Sequence, residues 1–289
     1  MLGVIINGIA IGSVFAMIAV GFALIFNVMK FSNFAHGSLI SVTAYIGFFA
    51  AKLLHTNFII TLLIAMIGGG LCGILVEFIG FRRLRKHKAP TIYYFISSIT
   101  VGMLFQNILT IINGQNFYMY PNILPMYTFR VFGFALSILD IIMFAVSLIA
   151  LLALLFVIKR TKAGLAIRAV ALDHGTATLM GMNNTRVFMV AFFLAGALAG
   201  VGGVLLGISY TVYPTLGNLV IKGFIASVIG GLGSLGGAVA GAFLLGIVEV
   251  LLVMIFGASL APALEFGLML VLLILRPSGI AGVFVSEKA

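Results

Sequence analysis

The sequence is poor in charged residues and nearly free of cysteine. Of its 289 residues, 8% are Asp, Glu, Lys or Arg, and Cys72 is its one cysteine. A soluble domain of ordinary composition carries about 25% charged residues, so that class is excluded. A single cysteine excludes a disulfide-stabilised scaffold. Glycine shows no three-residue period, which excludes collagen, and the 63% share of hydrophobic residues excludes a disordered chain.

Groups that could carry out catalysis are also scarce. The six acidic residues include no pair spaced three or four apart on one predicted span. The four histidines stand alone, without the spacing of a metal site, at His36, His55, His87 and His174. The sequence has no glycine-rich phosphate loop followed by lysine. An intramembrane enzyme is therefore disfavoured, no metal site is expected, and we expect no nucleotide hydrolysis by this chain.

Long apolar runs are abundant instead. The mean hydropathy is +1.31, and residues 89–129 carry no charge. Since a helix needs about 20 apolar residues to cross a bilayer, the chain has room for about eight to nine transmembrane segments. The apolar runs are continuous rather than alternating, which disfavours a β-barrel. The sequence predicts an all-α polytopic membrane protein in which residues 1–289 form one transmembrane domain.

The apolar runs also locate the spans. We expect them at residues 4–28, 33–51, 57–80, 91–113, 134–158 and 186–208. Glycines crowd residues 228–246, which predicts a broken or half helix near 222–234. A span near 236–256 and a last one near 262–276, ended by Pro277, are expected to follow. Residues 115–133, rich in aromatic residues and proline, are expected to form an ordered loop at the membrane surface.

Basic residues predict the orientation. In a soluble protein the net charge of +10 would suggest a nucleic-acid partner. Here the basic residues concentrate at 82–88 and 159–186, and short loops rich in Lys and Arg mark the cytoplasmic side of a membrane. The N-terminus is therefore expected outside and the C-terminus, with Lys288, inside. Lys52, Arg130 and Lys222 are then the basic residues on the outer side, and no nucleic-acid partner is expected.

Polar residues inside apolar segments are the first functional signal. Asn33, His36, Gly37 and Ser38 open the second predicted span, where an interrupted helix could expose polar groups to a substrate. The alternative is a polar cytoplasmic turn after Lys30. Glu249 is expected within the membrane, where it would line a pathway or form a hydrogen bond between helices. Glu77, in contrast, is expected at a span end in reach of water.

The polar interval at residues 161–185 is the second signal. Its apolar positions Leu165, Ile167, Val170 and Leu172 predict a helix, and Asp173 or Thr176 could cap a second short helix that Gly181 ends. Such a surface helix could transmit force from a partner, and a solvated connector is the alternative. The sequences GGLCGILVE and GAFLLGIVE, ending at Glu77 and Glu249, would run in opposite directions and suggest an inverted repeat.

Several of these stretches together resemble one known family. Residues 164–183, GLAIRAVALDHGTATLMGMN, resemble the cytoplasmic loop of the permeases of branched-chain amino-acid ABC importers, the type that carries leucine, isoleucine and valine. NFAHG at 33–37 is similar to an early signature of that family. The similarity continues through residues 228–249 and through RPSGI at 276–280. Within the pair of permeases that such importers use, this chain resembles the shorter one.

The resemblance implies partners. They are a second permease subunit, two cytoplasmic ATP-binding subunits that hold ATP and Mg, and an extracytoplasmic solute-binding protein that delivers the amino-acid substrate. It implies no cofactor in this chain and a place in the bacterial inner membrane, in contact with lipid. A urea or short-amide permease of the same superfamily, or a self-contained ion-coupled secondary transporter, remains the alternative.

The resemblance also implies roles for residues. The loop at about 159–185, which we name the coupling segment, would dock on an ATP-binding subunit. The residues expected to couple are Gly164, Arg168, Ala169, Asp173, Ala177, Gly181 and Asn183. Arg168 and Asp173 would pair with polar groups of the partner, whereas Ala169, Ala177 and Gly181 would allow close approach. Asn33, His36, Gly37, Ser38 and Glu249 are the residues expected along the substrate pathway.

Overall fold

A bundle of apolar helices accounts for most of the structure, a computed structural model that describes residues 2–125, 127–131, 134–276 and 279–280. Among these residues, six helices are long and apolar enough to cross a membrane, and two apolar segments are shorter. A further helix of 19 residues is long enough but carries several polar side chains. The all-α polytopic prediction is confirmed. Pro277 and Lys288 lie outside the described residues.

The helices and strands are bounded as follows. The first half of the chain contains α1 (Leu2–Met29), α2 (Ala35–Leu53), α3 (Phe58–Val76), a π-helical turn (Glu77–Phe81), α4 (Arg82–Lys86), α5 (Thr91–Asn113), β1 (Thr128–Val131) and β2 (Phe134–Ser137). The second half contains α6 (Ile138–Arg160), α7 (Lys162–Leu172), α8 (His174–Leu179), α9 (Asn184–Tyr210), a 3₁₀ turn (Leu216–Leu219), α10 (Val220–Gly230), α11 (Leu235–Phe256) and α12 (Ala261–Leu275).

Two boundaries differ from the sequence predictions. The predicted span at 134–158 begins with a strand, because Phe134–Ser137 pairs antiparallel with Thr128–Val131, and helix starts only at Ile138. The predicted span at 57–80 continues through the π-helical turn into α4. The loop before β1 is ordered as predicted, since Tyr120 Oη donates to the Ala44 carbonyl at 2.8 Å.

The predicted break near 222–234 is present. A 3₁₀ turn leads into α10, which has only 11 residues and ends at Gly230. Gly231 and Gly233 then adopt φ of 104° and 87°, in the left-handed region that glycine enters without a steric penalty. The chain reverses there, and Ser234 caps α11 by accepting a hydrogen bond from the Gly237 amide at 3.1 Å.

Glycine faces hold the bundle together. Gly69 and Gly73 of α3 lie against Gly196 of α9 so closely that an added Cβ would overlap backbone atoms. Gly8 and Gly12 of α1 face α11 in the same manner. Without a hydrophobic driving force between helices in lipid, close backbone packing of this kind supplies much of the attraction. These glycines therefore serve packing within the chain.

The two similar sequences ending at Glu77 and Glu249 occupy matching places. The first lies in α3, which packs against α2 and α9, and the second lies in α11, which packs against α10 and α1. Each glutamate forms an ion pair with a basic residue, Glu77 with Arg85 and Glu249 with Lys222. Glu77 is fully buried, so its predicted place in reach of water is wrong. The arrangement agrees with an inverted repeat, which stays a hypothesis.

We expect Gly196→Ala to destabilise the chain by about 1–3 kcal/mol, because its new methyl group would push α9 away from α3. Gly267→Ala in α12 is the matched control, since nothing lies within 4 Å of a Cβ there. The control should be neutral or slightly stabilising because alanine favours helix. Thermal unfolding in detergent, followed by circular dichroism, measures both. Equal midpoints for the two variants would contradict the close contact.

Candidate functional site

The coupling segment is an angled pair of short helices, α7 and α8. Thr161 begins α7, because its side chain accepts a hydrogen bond from the Gly164 amide at 3.1 Å. Gly164 lies directly on the last turn of α6, where a Cβ would overlap the carbonyl groups of Val157 and Ile158. Glycine is therefore required for α7 to turn sharply away from α6.

Arg168 fixes the same junction. Its Nη1 donates to the Ile158 carbonyl at 2.6 Å, which satisfies a carbonyl that the end of α6 leaves without a helical partner. The guanidinium is otherwise exposed. Arg168 thus stabilises the angle between α6 and α7. The other N–H groups of its guanidinium are available to a partner.

Asp173 and Asn183 act as helix caps. Asp173 Oδ1 accepts from the Gly175 amide at 2.8 Å, and its Oδ2 accepts from the Thr176 hydroxyl at 2.6 Å. Asn183 Oδ1 accepts from the Arg186 amide at 3.2 Å and begins α9. The two caps set the ends of α8 and α9 and so fix the direction in which α8 points. The predicted Asp173 cap is confirmed, with α8 spanning His174–Leu179.

We expect Asp173→Ala to loosen α8, because both cap hydrogen bonds are lost. Bonding to Thr176 and Gly175 lowers the pKa of the Asp173 carboxyl below its usual range. The native cap is therefore fully present above the ordinary pKa of aspartate and is lost as the pH falls through the lowered value. Hydrogen exchange should speed up in residues 174–179 of the variant, with Asp140→Ala as the control at a distant helix start. Unchanged exchange would contradict the cap.

Exposed apolar side chains at the ends of α7 and α8 were missed by the sequence reasoning. Leu172 is 88% exposed, Leu179 is 89% exposed and Met180 is 78% exposed. The helical periodicity grouped Leu165 and Leu172 with Ile167 and Val170, but only the latter two are buried. The available signal was the position of Leu172 and Leu179 immediately beside helix ends.

The small residues of the coupling segment divide into two groups. Ala177 is buried in the chain's own interior, so its predicted contact with a partner surface is not supported. Ala169 is half-buried. Gly181 has a φ of +83°, a backbone conformation that favours glycine. No atom lies within 4 Å of an added Cβ, so the surface around Gly181 is open.

The start of α2 lies in the interior of the bundle. Asn33 and His36 are fully buried, which excludes the solvated cytoplasmic turn. Gly37 touches Gly217 of the 3₁₀ turn so closely that a side chain on either would collide. Ser41 Oγ accepts from the Gly217 amide at 2.8 Å. The beginning of α2 therefore meets the 3₁₀ turn that precedes the short helix α10 inside the bundle.

A cavity of about 250 Å³ opens beside this meeting point. Its lining is mostly apolar with a few polar groups and consists of Phe34, Gly37, Ser38, Ser41, Phe95, Ile99, Gly102, Met103, Gln106, Gly217, Asn218, Val220 and Ile221. Of the residues predicted along a pathway, Gly37 and Ser38 line it, whereas Asn33, His36 and Glu249 do not. Gln106 and Asn218 were missed, because one polar residue in a long apolar run gives no periodic signal.

Glu249 belongs to a separate group, the charge cluster, formed by Lys222, Glu249 and Glu265. Lys222 pairs with Glu249, and its Nζ lies 3.5 Å from Glu265 Oε2. The cluster joins α10, α11 and α12. Of the two roles predicted for Glu249, the structure therefore shows the interaction between helices. Lys222 lies in the short helix α10, within the broken helix predicted near 222–234, and 17% of its side chain is exposed.

These features define a class of protein. Interrupted helices around a cavity, glycine-packed spans and an exposed surface segment at one end are those of a multi-pass membrane transport protein. The chain matches, over residues 4–276, the family described as the permease component of branched-chain amino acid transport systems. It belongs to that family of transport permeases.

Individual relatives are similar to this chain over nearly its whole length. BraD, a high-affinity branched-chain amino acid transport system permease protein of Pseudomonas aeruginosa, is 32% identical over 96% of this chain and 94% of its own length. LivH of Escherichia coli is 30% identical over 96% and 94%. A probable LivH permease of Methanocaldococcus jannaschii is 28% identical over 96% and 91%.

A solved structure supports the fold. PsaBC from Streptococcus pneumoniae, determined in complex with Fab, has a TM-score of 0.51 and covers 94% of this chain and 91% of the solved one. The sequence identity is 15%, so the likeness concerns the fold alone.

Proposed function

We propose that this chain is the shorter permease subunit of an importer for branched-chain amino acids in the bacterial inner membrane. With a second permease it forms the pathway, a solute-binding protein delivers the substrate outside, and two ATP-binding subunits drive transport from the cytoplasm. The coupling segment is the observation that carries the proposal. A permease that does not hydrolyse ATP itself needs a rigid surface through which an ATP-binding subunit can transmit its movement.

The geometry of the coupling segment suits that task. Gly164 and Arg168 tie α7 to the end of α6, and the cap at Asn183 ties the other end to α9. A push on α8 therefore reaches two spanning helices through short hydrogen-bonded joints. Leu172 and Leu179 would enter apolar hollows of an ATP-binding subunit, as protruding apolar side chains do at interface centres.

The cavity suits an amino acid with a branched apolar side chain. Phe34, Phe95 and Ile99 offer an apolar wall, and Ser38, Gln106 and Asn218 offer a few hydrogen-bonding groups for the charged ends. The rest of the pathway would come from the second permease. Movement of α5 and α10 relative to α2 would open the cavity to one side of the membrane and then to the other.

Reconstitution tests the proposal. The chain, its second permease, the ATP-binding subunits and the solute-binding protein should together take up leucine into liposomes when ATP is supplied on the cytoplasmic side. Urea or acetamide taken up in place of leucine would favour the amide alternative. Leucine uptake by this chain alone, driven by an ion gradient without ATP, would overturn the proposal in favour of a secondary transporter.

A further inference from the structure

A basic cavity lies at the predicted cytoplasmic end of the bundle, apart from the cavity described above. We name it the basic pocket. It has a volume of about 570 Å³ and lies between α4, the beginning of α5 and the beginnings of α8 and α9. The pocket is lined by Met29, Arg82, Arg85, Lys86, Lys88, Thr91, Tyr94, His174, Asn184, Thr185 and Phe188. Four of these side chains are cationic, and none is acidic.

Apart from the pairing of Arg85 with Glu77, the described residues do not neutralise the charge of the pocket. Glu77 is the carboxylate that pairs with Arg85, and it is fully buried behind the pocket. Asp173 bonds instead to Thr176 and to the Gly175 amide. Lys30 adds a further cation near His174. Arg82, Lys86 and Lys88 form no ion pair within the described residues, so the pocket keeps a strong positive field.

Two buried nitrogen atoms at the pocket also lack a hydrogen-bond partner among the described residues. Arg85 Nη2 bonds to Glu77, but its Nη1 is buried without an acceptor. The Arg85 guanidinium lies 4.2 Å from the centre of the Phe188 ring, which holds it in place. Nδ1 of His174 is likewise buried and unpartnered. A buried donor without an acceptor costs about 1–3 kcal/mol, so an occupant with several acceptor oxygens would be stabilised here.

We propose that the basic pocket binds a phosphate group, carried either by an anionic phospholipid or by a free phosphate compound. A phospholipid diester offers two non-bridging acceptor oxygens and a free phosphate offers more, and both match the planar fork of arginine. The membrane surface is within reach, because the Arg82 guanidinium lies 5.2 Å from the centre of the Phe78 ring, and Phe78 is itself exposed on the apolar side of the π-helical turn. Basic pockets between helices on the cytoplasmic side bind lipid head groups of this kind.

His174 provides a reporter at the site. Burial lowers its pKa, and the nearby Lys30 and Arg85 lower it further. A phosphate bound in the pocket would offset those cations and raise the pKa of His174. The inference does not rest on the proposed function, since a permease with another substrate would keep the same pocket.

The experiment uses the full chain in nanodiscs of phosphatidylcholine. The pH titration of His174 is followed by ¹⁵N NMR, assigned with His174→Gln, before and after adding phosphatidylglycerol to the bilayer or inorganic phosphate to the solution. We expect the pKa of His174 to rise. A response to phosphatidylglycerol alone assigns the lipid as the source, and a response to both anions assigns the phosphate group in general.

Two triple variants with equal charge loss test the location. Arg82→Gln/Lys86→Gln/Lys88→Gln removes pocket cations and keeps Arg85, which Glu77 requires. Lys159→Gln/Arg160→Gln/Lys162→Gln removes exposed cations at the same membrane surface but outside the pocket. We expect the first variant to bind phosphatidylglycerol at least about tenfold more weakly and the second to respond as the native chain does.

Two results would overturn the inference. One is an unchanged pKa of His174 after either anion is added, which would show that the pocket does not bind phosphate. The other is an equal loss in both triple variants, which would reduce the effect to general surface charge. If the first variant fails to fold, native mass spectrometry of the unmodified chain decides, because equal retention of phosphatidylglycerol and the zwitterionic phosphatidylcholine contradicts a site for anionic phospholipid.

Discussion

Leu179→Asp is expected to abolish ATP-driven transport while leaving the chain folded. Leu179 is 89% exposed at the end of α8, so a charge there costs the isolated chain almost nothing. In the proposed complex the same side chain enters an apolar hollow of the ATP-binding subunit, where a carboxylate would be desolvated without a partner. The few side chains that dominate an interface each contribute about 2 kcal/mol or more, so with Leu179 as one of them we expect roughly 30-fold weaker binding of the ATP-binding subunit.

Co-purification of the ATP-binding subunits and leucine-stimulated ATP hydrolysis measure this effect. Leu54→Asp is the matched control. Leu54 is also an exposed leucine, with 67% of its surface accessible, and it directly follows the C-terminal end of α2, outside the coupling segment. The control should assemble and transport normally. If Leu179→Asp retained full coupling, α8 would not be the docking element and the proposed function would lose its main support.

Lys222→Met is expected to destabilise the chain by about 3–5 kcal/mol. The substitution leaves Glu249 and Glu265 buried together without a cation, and their mutual repulsion adds to the cost of removing each from water. Since these residues join α10 to α11 and α12, the packing of the interrupted helix should loosen first. Thermal unfolding in detergent and the accessibility of cysteines placed in α10 measure the two effects.

Lys52→Met provides the matched control. Both lysines lie 5.4 Å from the centre of a phenylalanine ring, Lys222 over Phe15 and Lys52 over Phe48, but Lys52 is exposed and has no carboxylate partner among the described residues. A triple variant, Lys222→Met/Glu249→Gln/Glu265→Gln, should recover much of the lost stability because no buried charge remains. Equal midpoints for Lys222→Met and Lys52→Met would show that the charge cluster contributes little.

Sequence reasoning was most successful where a local rule decides the outcome. Glycines at residues 231 and 233 permitted a reversal that other residues resist, so the break after α10 followed from composition. Asp173 and Gly181 bounded a short helix through capping rules that involve only neighbouring residues. Long continuous apolar runs predicted the spans, because the thickness of a bilayer sets the length of a helix that crosses it.

The same reasoning failed where a distant partner decides. Glu77 looked like a water-accessible end because Arg82 was close in sequence, whereas the helix continues and buries it beside Arg85. The pairing of Lys222 with Glu249 and Glu265 was not predicted, because both carboxylates lie more than 25 residues further along the chain. The strand at Phe134–Ser137 formed because Thr128–Val131 lies opposite, and an apolar run alone does not distinguish the two structures.

The sequence by itself determined that this is a helical membrane protein and to which family its signature stretches belong. Those properties depend on hydropathy, glycine content and short motifs, each of which acts over a few turns of chain. The tertiary structure alone decided which polar residues share a site. Gly37 contacts Gly217 beside one cavity, and Arg85 and His174 line the basic pocket. Both arrangements form only when the helices pack, because residues far apart in sequence become neighbours through contacts that no local pattern encodes.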